Sequence, residues 1–214
     1  MKYVFLLIFA VSTVVHLSAS AKYAKTLRNI TKPLLLSSLL GFYVFAAGKV
    51  SITVVLALFF SWLGDVLLMK PSVKWFAAGG VSFMVSHALF IVSYFDRLDF
   101  SKINPVLIVV LGALFAAAVV YVFNILKPYL SKALFYSMFF YLLVNGTMNC
   151  FALFRMISCL EPATVLTCIG AFLFFISDSS LFVVRFKKDG KKRSHFIVML
   201  TYTIGELLIV TGLL

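Results

Sequence analysis

Eight apolar stretches divide the chain, near residues 3–20, 33–48, 51–69, 75–95, 104–126, 133–154, 163–185 and 195–214, with short polar junctions between them. A helical membrane span takes roughly 20 apolar residues, so eight spans use about 160 positions. The chain has 214, which leaves tight junctions and no room for a soluble domain. The pattern predicts an all-α fold, a polytopic membrane helical bundle of eight transmembrane helices, as a single transmembrane domain over residues 1–214. Runs such as Leu107 to Val122 do not alternate with period two, which argues against a closed barrel. Lys32-Pro33 is expected to open span two, since proline suits a first helical turn. Pro71, Pro105, Pro128 and Pro162 fall at junctions or just inside a span. No proline marks a span centre, so the broken helices of many secondary transporters are not signalled.

Composition agrees with this picture. Hydrophobic residues make up 63% of the chain and charged ones 12%, and the mean hydropathy is +1.10. A soluble domain, a disordered chain and a coiled coil are all excluded. The net charge of +12 would point to nucleic acid in a polar protein. In this chain it points to membrane lipids, whose phosphates lie at the inner face, and no nucleic-acid partner is expected.

Counting Lys and Arg by junction gives 14 after the odd spans and 5 elsewhere. The excess places the odd loops in the cytoplasm and both termini outside it, in a multi-pass protein of the cell (inner) membrane. Arg185, Lys187, Lys188, Lys191, Lys192 and Arg193 anchor that orientation. A competing reading treats Met1 to Ala21 as a cleaved signal, with Ala19-Ser20-Ala21 as the cut site. Ser12 and His16 inside the apolar run favour its retention as span one.

The three cysteines, Cys150, Cys159 and Cys168, are odd in number and read as small hydrophobes. His16, His87 and His195 lie on three spans without a second ligand at helical spacing, so no metal site and no cofactor are expected.

The acids carry more information. Asp96, Asp99, Glu161 and Asp189 fall in loops, whereas Asp65, Asp178 and Glu206 fall inside spans. An ionisable group at depth costs roughly 2.5–3.5 kcal/mol on insertion scales and is a functional candidate by default. Asp65 lies about 6 Å, Asp178 about 10 Å, Tyr202 about 10 Å and Glu206 about 16 Å from the cytoplasmic ends of their spans. Lys32 is expected at the cytoplasmic mouth of span two.

Helical spacing groups other residues. His195, Val198, Tyr202 and Glu206 form one line on span eight, and Tyr141, Asn145 and Asn149 form one on span six. Ser82, Ser86 and Ser93 line span four with His87 beside them, and Ser37 and Gly41 line span two. Such stripes serve most often as packing seams, and buried amides as interhelical glue. Span five has few polar residues and is expected at the periphery. Ser61-Trp62-Leu63-Gly64-Asp65-Val66-Leu67-Leu68 can be laid over Phe174-Phe175-Ile176-Ser177-Asp178-Ser179-Ser180-Leu181. That hints at a parallel four-plus-four repeat.

Thr31-Lys32-Pro33, Phe60 to Leu68, Ser86-His87 and Phe174 to Ser179, in this order, resemble the lysoplasmalogenase (YhhN) family of integral membrane proteins. One departure lies in span eight, where a glutamine-like amide is expected after the tyrosine and Tyr202 is followed by Glu206. The resemblance implies hydrolysis of the vinyl-ether bond of lysoplasmalogens, giving a fatty aldehyde and a glycerophospho-alcohol. The implied partner is a lysophospholipid or ether-lipid substrate. Vinyl ethers cleave by proton transfer to carbon, forming an oxocarbenium ion that water attacks. A protonated carboxyl and a nearby ionised one suit this chemistry, by mechanistic analogy with glycoside hydrolysis. Asp65 and Asp178 are the expected catalytic pair. Lys32, His87, Asn145, Tyr202 and Glu206 are the expected substrate-binding residues, with Lys32 on the phosphate. Two rival classes remain: a small proton-coupled transporter, since membrane carboxylates also relay protons, and a zinc-dependent lipid amidase, which scattered histidines fit poorly.

Overall fold

The computed structural model describes residues 1–186 and 193–214. Eight helices follow in order: α1 (Lys2–Lys22), α2 (Lys25–Ala46), α3 (Ile52–Leu68), α4 (Val73–Tyr94), α5 (Pro105–Leu126), α6 (Lys132–Ser158), α7 (Pro162–Phe186) and α8 (Arg193–Gly212). Three short 3-10 turns sit in the α4–α5 and α5–α6 connections. Seven of the eight helices are long and apolar enough to cross a membrane. The eighth, α3, is apolar with 17 residues, or about 26 Å at 1.5 Å per residue. The molecule is a helical membrane bundle of the predicted kind.

Neighbour packing closes a ring: α1 on α2, α2 on α3, α3 on α4, α4 on α6, α6 on α7, α7 on α8, and α8 back on α1. Helix α5 stands outside it, against α6. Only 11% of the α5 span is buried, as its apolar and nearly featureless sequence predicts.

Two small-residue crossings draw helices together, as glycine does where lipid supplies no hydrophobic drive. A Cβ on Gly170 of α7 would lie 2.6 Å from the Gly205 carbonyl and 2.7 Å from the Ile209 amide of α8. A Cβ on Gly64 of α3 would lie 3.2 Å from the Gly79 carbonyl of α4 and 2.6 Å from the Phe83 ring. Gly64 precedes Asp65 and Gly205 precedes Glu206. These two crossings therefore set acids into the bundle interior.

Helix α2 starts earlier than its apolar run implies. Charged residues from Lys25 onward are already helical, and Pro33 lies inside the helix rather than in its first turn. The carbonyl of Pro33 accepts from Trp62 Nε1 at 3.0 Å and from Ser37 Oγ at 2.9 Å. Ser37 itself faces outward, and Ser38 is the buried serine of that helix. Helix α6 also runs past its expected end. Arg155, read from sequence as a junction charge, lies within it and is buried. Lys187, Lys188, Asp189, Lys191 and Lys192 of the basic loop lie outside the described residues.

Candidate active site

Asp65 sits one turn from the end of α3 on the face that carries Ser61 and Gly64, and it is 3% exposed. Both carboxyl oxygens are engaged. Lys32 Nζ lies 3.1 Å from Oδ1, and the Tyr202 hydroxyl donates to Oδ2 at 2.7 Å. Lys32 is thus two turns into α2 with its ammonium turned inward, where the sequence reading had put it at a mouth. The helix has already begun at Lys25, so the long side chain reaches the acid rather than the surface.

Asp178 of α7 is 4% exposed and has a different surrounding. Tyr141 and Asn145, one turn apart on α6, both donate to its Oδ2, the amide at 2.7 Å and the phenol in a short bond. Asn149 Nδ2 donates to the Asn145 carbonyl at 3.0 Å and to Asn145 Oδ1 at 3.1 Å. That holds the Asn145 amide with its nitrogen toward Asp178. His87 Nε2 lies 3.8 Å from Asp178 Oδ2. The imidazole is fully buried, and neither ring nitrogen makes a hydrogen bond.

An aromatic wall joins the two carboxylates. Phe174, one turn before Asp178, meets Tyr202 edge-on at 5.3 Å and His87 at 4.9 Å between centroids. His87 meets Tyr141 at 5.5 Å, and Phe83 meets Tyr202 at 6.2 Å. Such edge-to-face contacts fix ring orientation and hence the direction of both phenols. Glu206, one turn beyond Tyr202, is 0% exposed, and neither carboxyl oxygen makes a hydrogen bond. Its polar neighbour is Ser61, whose hydroxyl shares a 2.7 Å bond with Ser86.

The arrangement has a twofold logic. Asp65 is met by the helix before its own, α2, and by α8 from the other half. Asp178 is met by the helix before its own, α6, and by α4 from the other half. The short sequence match between α3 and α7 thus has a counterpart in space, with partners exchanged between halves.

The family model of the YhhN family matches residues 27–213. This chain belongs to the YhhN family. Membership supports a membrane hydrolase. No curated protein and no solved structure matches the chain.

In this YhhN protein a cavity of about 240 Å³ opens beside Lys32, lined also by His16, Arg28, Phe76, Arg185 and His195. By sequence Arg185 belongs to the basic loop that sets orientation, and Arg28 falls in the junction after span one. Arg28 precedes Lys32 by one helical turn, and that spacing was the available signal. Tyr141 belongs to the polar stripe of span six, but its partner on α7 is set only by packing. At the opposite end Arg155 donates to Thr167 Oγ1 at 2.8 Å and to the Gly212 carbonyl at 3.5 Å. It lies over the Tyr94 ring at 5.9 Å and lines a second cavity, of about 620 Å³. Among the described residues no group of three or more His, Cys, Asp and Glu is placed to hold a metal ion.

Proposed function

We propose that this chain hydrolyses the vinyl-ether bond of lysoplasmalogens, with Asp178 as general acid and Asp65 as the ionised partner. The observation that carries the assignment is the unequal occupation of the two carboxyls. Asp65 accepts at both oxygens, one from an ammonium, so it has a counter-charge that Asp178 lacks. At Asp178 both donors converge on Oδ2, and Oδ1 is left to carry a proton.

The reaction then runs as follows. Asp178 transfers its proton to the outer vinyl carbon, and the inner carbon becomes an oxocarbenium ion stabilised by the Asp65 carboxylate. Water adds to that carbon and returns a proton to the Asp178 carboxylate. As the hemiacetal collapses, its hydroxyl proton passes to the glycerol oxygen, the carbon–oxygen bond to glycerol breaks, and aldehyde and glycerophospho-alcohol leave. His87, with an unpartnered nitrogen beside Asp178, is placed to position the water or pass its proton.

The test is aldehyde release from lysoplasmenylethanolamine by purified protein in detergent. Asp65→Asn and Asp178→Asn are each expected to lower it by about 10²-fold or more. Full activity in both variants rejects the assignment. A proton-coupled transporter would show no turnover in detergent at all.

A further inference from the structure

The cavity beside Lys32 has a charge pattern that its own helices do not balance. Arg28, Lys32 and Arg185 line it together with His16 and His195, and among the described residues no acid lines it. Among the described residues only Lys32 has a carboxylate partner, Asp65. Arg28 Nε is buried without a hydrogen bond, and so is His16 Nε2, whose ring is fixed at 2.8 Å by Thr31 through Nδ1. Two helix starts add to the excess. The first turn of α2 holds Arg28 and no acid, and its cap residue Ala24 offers no side-chain bond. The first turn of α8 holds His195 and no acid. The positive ends of two helix dipoles thus coincide with basic side chains, the reverse of the stabilising order. Loop charges that merely set topology face the lipid surface, as exposed Lys22 and Lys25 do. Arg28, half-buried, and Arg185, exposed, instead share the lining of one cavity.

On the far side of Phe76 the surroundings change. Phe76 lines the basic cavity and also an apolar crevice bounded by Gly80, Val81, Met84, Met138 and Tyr141. The Arg185 guanidinium lies 5.4 Å from the centroid of its ring. One side of this residue is basic and the other greasy. The residue holding Asp65 (Lys32) lines the first, and a residue holding Asp178 (Tyr141) lines the second.

We infer that the basic cavity is a phosphate seat for a lysophospholipid whose hydrocarbon chain lies across Phe76 in the apolar crevice. Arg28 and Arg185 carry it, since guanidinium groups pair with phosphate oxygens bidentately. The link between headgroup and chain then falls between Asp65 and Asp178. The lipid identity rests on the hydrolase reading above, whereas the phosphate chemistry rests on the cavity itself.

Two measurements on the full chain in neutral detergent test this. The first compares kcat/KM for lysoplasmenylethanolamine and for 1-alkenylglycerol, which lacks phosphate. The ratio is expected to fall at least tenfold in Arg28→Gln and in Arg185→Gln, and to hold in Lys49→Gln at the opposite end. An unchanged ratio in both arginine variants overturns the seat while leaving the hydrolase reading intact. If the wild type turns over neither lipid, that reading fails, and the second measurement decides the seat alone. Ester-linked lysophosphatidylethanolamine should raise the unfolding temperature saturably, and less so in the arginine variants. Equal shifts in all proteins overturn the seat. Inorganic phosphate giving the same shift over the same concentrations, at fixed ionic strength, overturns the lipid headgroup as the source. Should Arg28→Gln not fold, Arg28→Lys, which keeps the charge but not the fork, takes its place.

Discussion

The ammonium of Lys32 lies 3.1 Å from the carboxylate of Asp65, with 17% of the lysine side chain and 4% of the aspartate side chain exposed. A buried pair of this kind adds little over two neutral residues of the same shape, because both ions lose their water. Its importance appears when one partner is removed. Lys32→Met is expected to lower stability by about 3–5 kcal/mol, the cost of an uncompensated buried charge. The double variant Lys32→Met with Asp65→Leu should recover most of that loss. Thermal unfolding in detergent measures both, and a double variant no more stable than the single one would contradict this account.

Asp178 is expected to separate activity from stability. In Asp178→Asn the amide oxygen still accepts from Tyr141 or Asn145, so the unfolding temperature should stay close to wild type. Aldehyde release should drop by about 10²–10⁴-fold, the usual worth of a positioned general acid. Tyr141→Phe, which removes one of the two donors to Oδ2, should give a smaller loss in kcat than Asp178→Asn.

Gly170→Ala is expected to cost about 1–3 kcal/mol through overpacking. The added methyl group meets the Gly205 carbonyl and the Ile209 amide, and backbone atoms do not yield as side chains do. Gly112→Ala on peripheral α5 meets nothing within 4 Å. It should leave stability unchanged or raise it by up to about 1 kcal/mol, the helix preference of alanine over glycine. The pair is compared by fluorescence-detected melting in one detergent.

Arg155→Met makes the opposite point to Lys32→Met. Among the described residues Arg155 has no carboxylate in ion-pair range; it bonds a hydroxyl and a helix-end carbonyl. Removing it strands no opposite charge, and an apolar side chain of similar size should cost about 1 kcal/mol or less. A loss comparable to that of Lys32→Met would show that helix-end carbonyls bind this guanidinium more strongly than the geometry implies.

Hydropathy made the bundle and the outlying position of α5 legible, because the distribution of apolar residues along a span reports which faces meet lipid. Asp65, Asp178 and Glu206 stood out for a related reason: an acid inside an apolar run has to be housed by other helices. The spacing of Tyr202 and Glu206 also predicted that both face inward. Pairing was not legible. An apolar-run reading starts a helix where charge stops, at Pro33, whereas the α2 backbone becomes helical eight residues earlier at Lys25, which turns Lys32 inward. Arg155 was misplaced at the other end of the same rule, since a charge after an apolar run reads as a loop. The bond from Tyr141 to Asp178 depends on the angle between α6 and α7, which no local pattern encodes.

The exchange of partners between the halves has a consequence for how the molecule comes to work. During synthesis α1 to α4 enter the bilayer with Asp65 and His87 but without Tyr202 or Asp178. Each half holds an acid whose second ligand is on a helix of the other half. A nascent chain that has inserted only its first half therefore carries the Lys32–Asp65 pair without Tyr202 or Asp178, and it is expected to meet lipid without turnover. The Tyr202–Asp65 bond forms only when α8 docks between α7 and α1. Two fragments divided in the α4–α5 connection should be silent when made singly and regain turnover when made together.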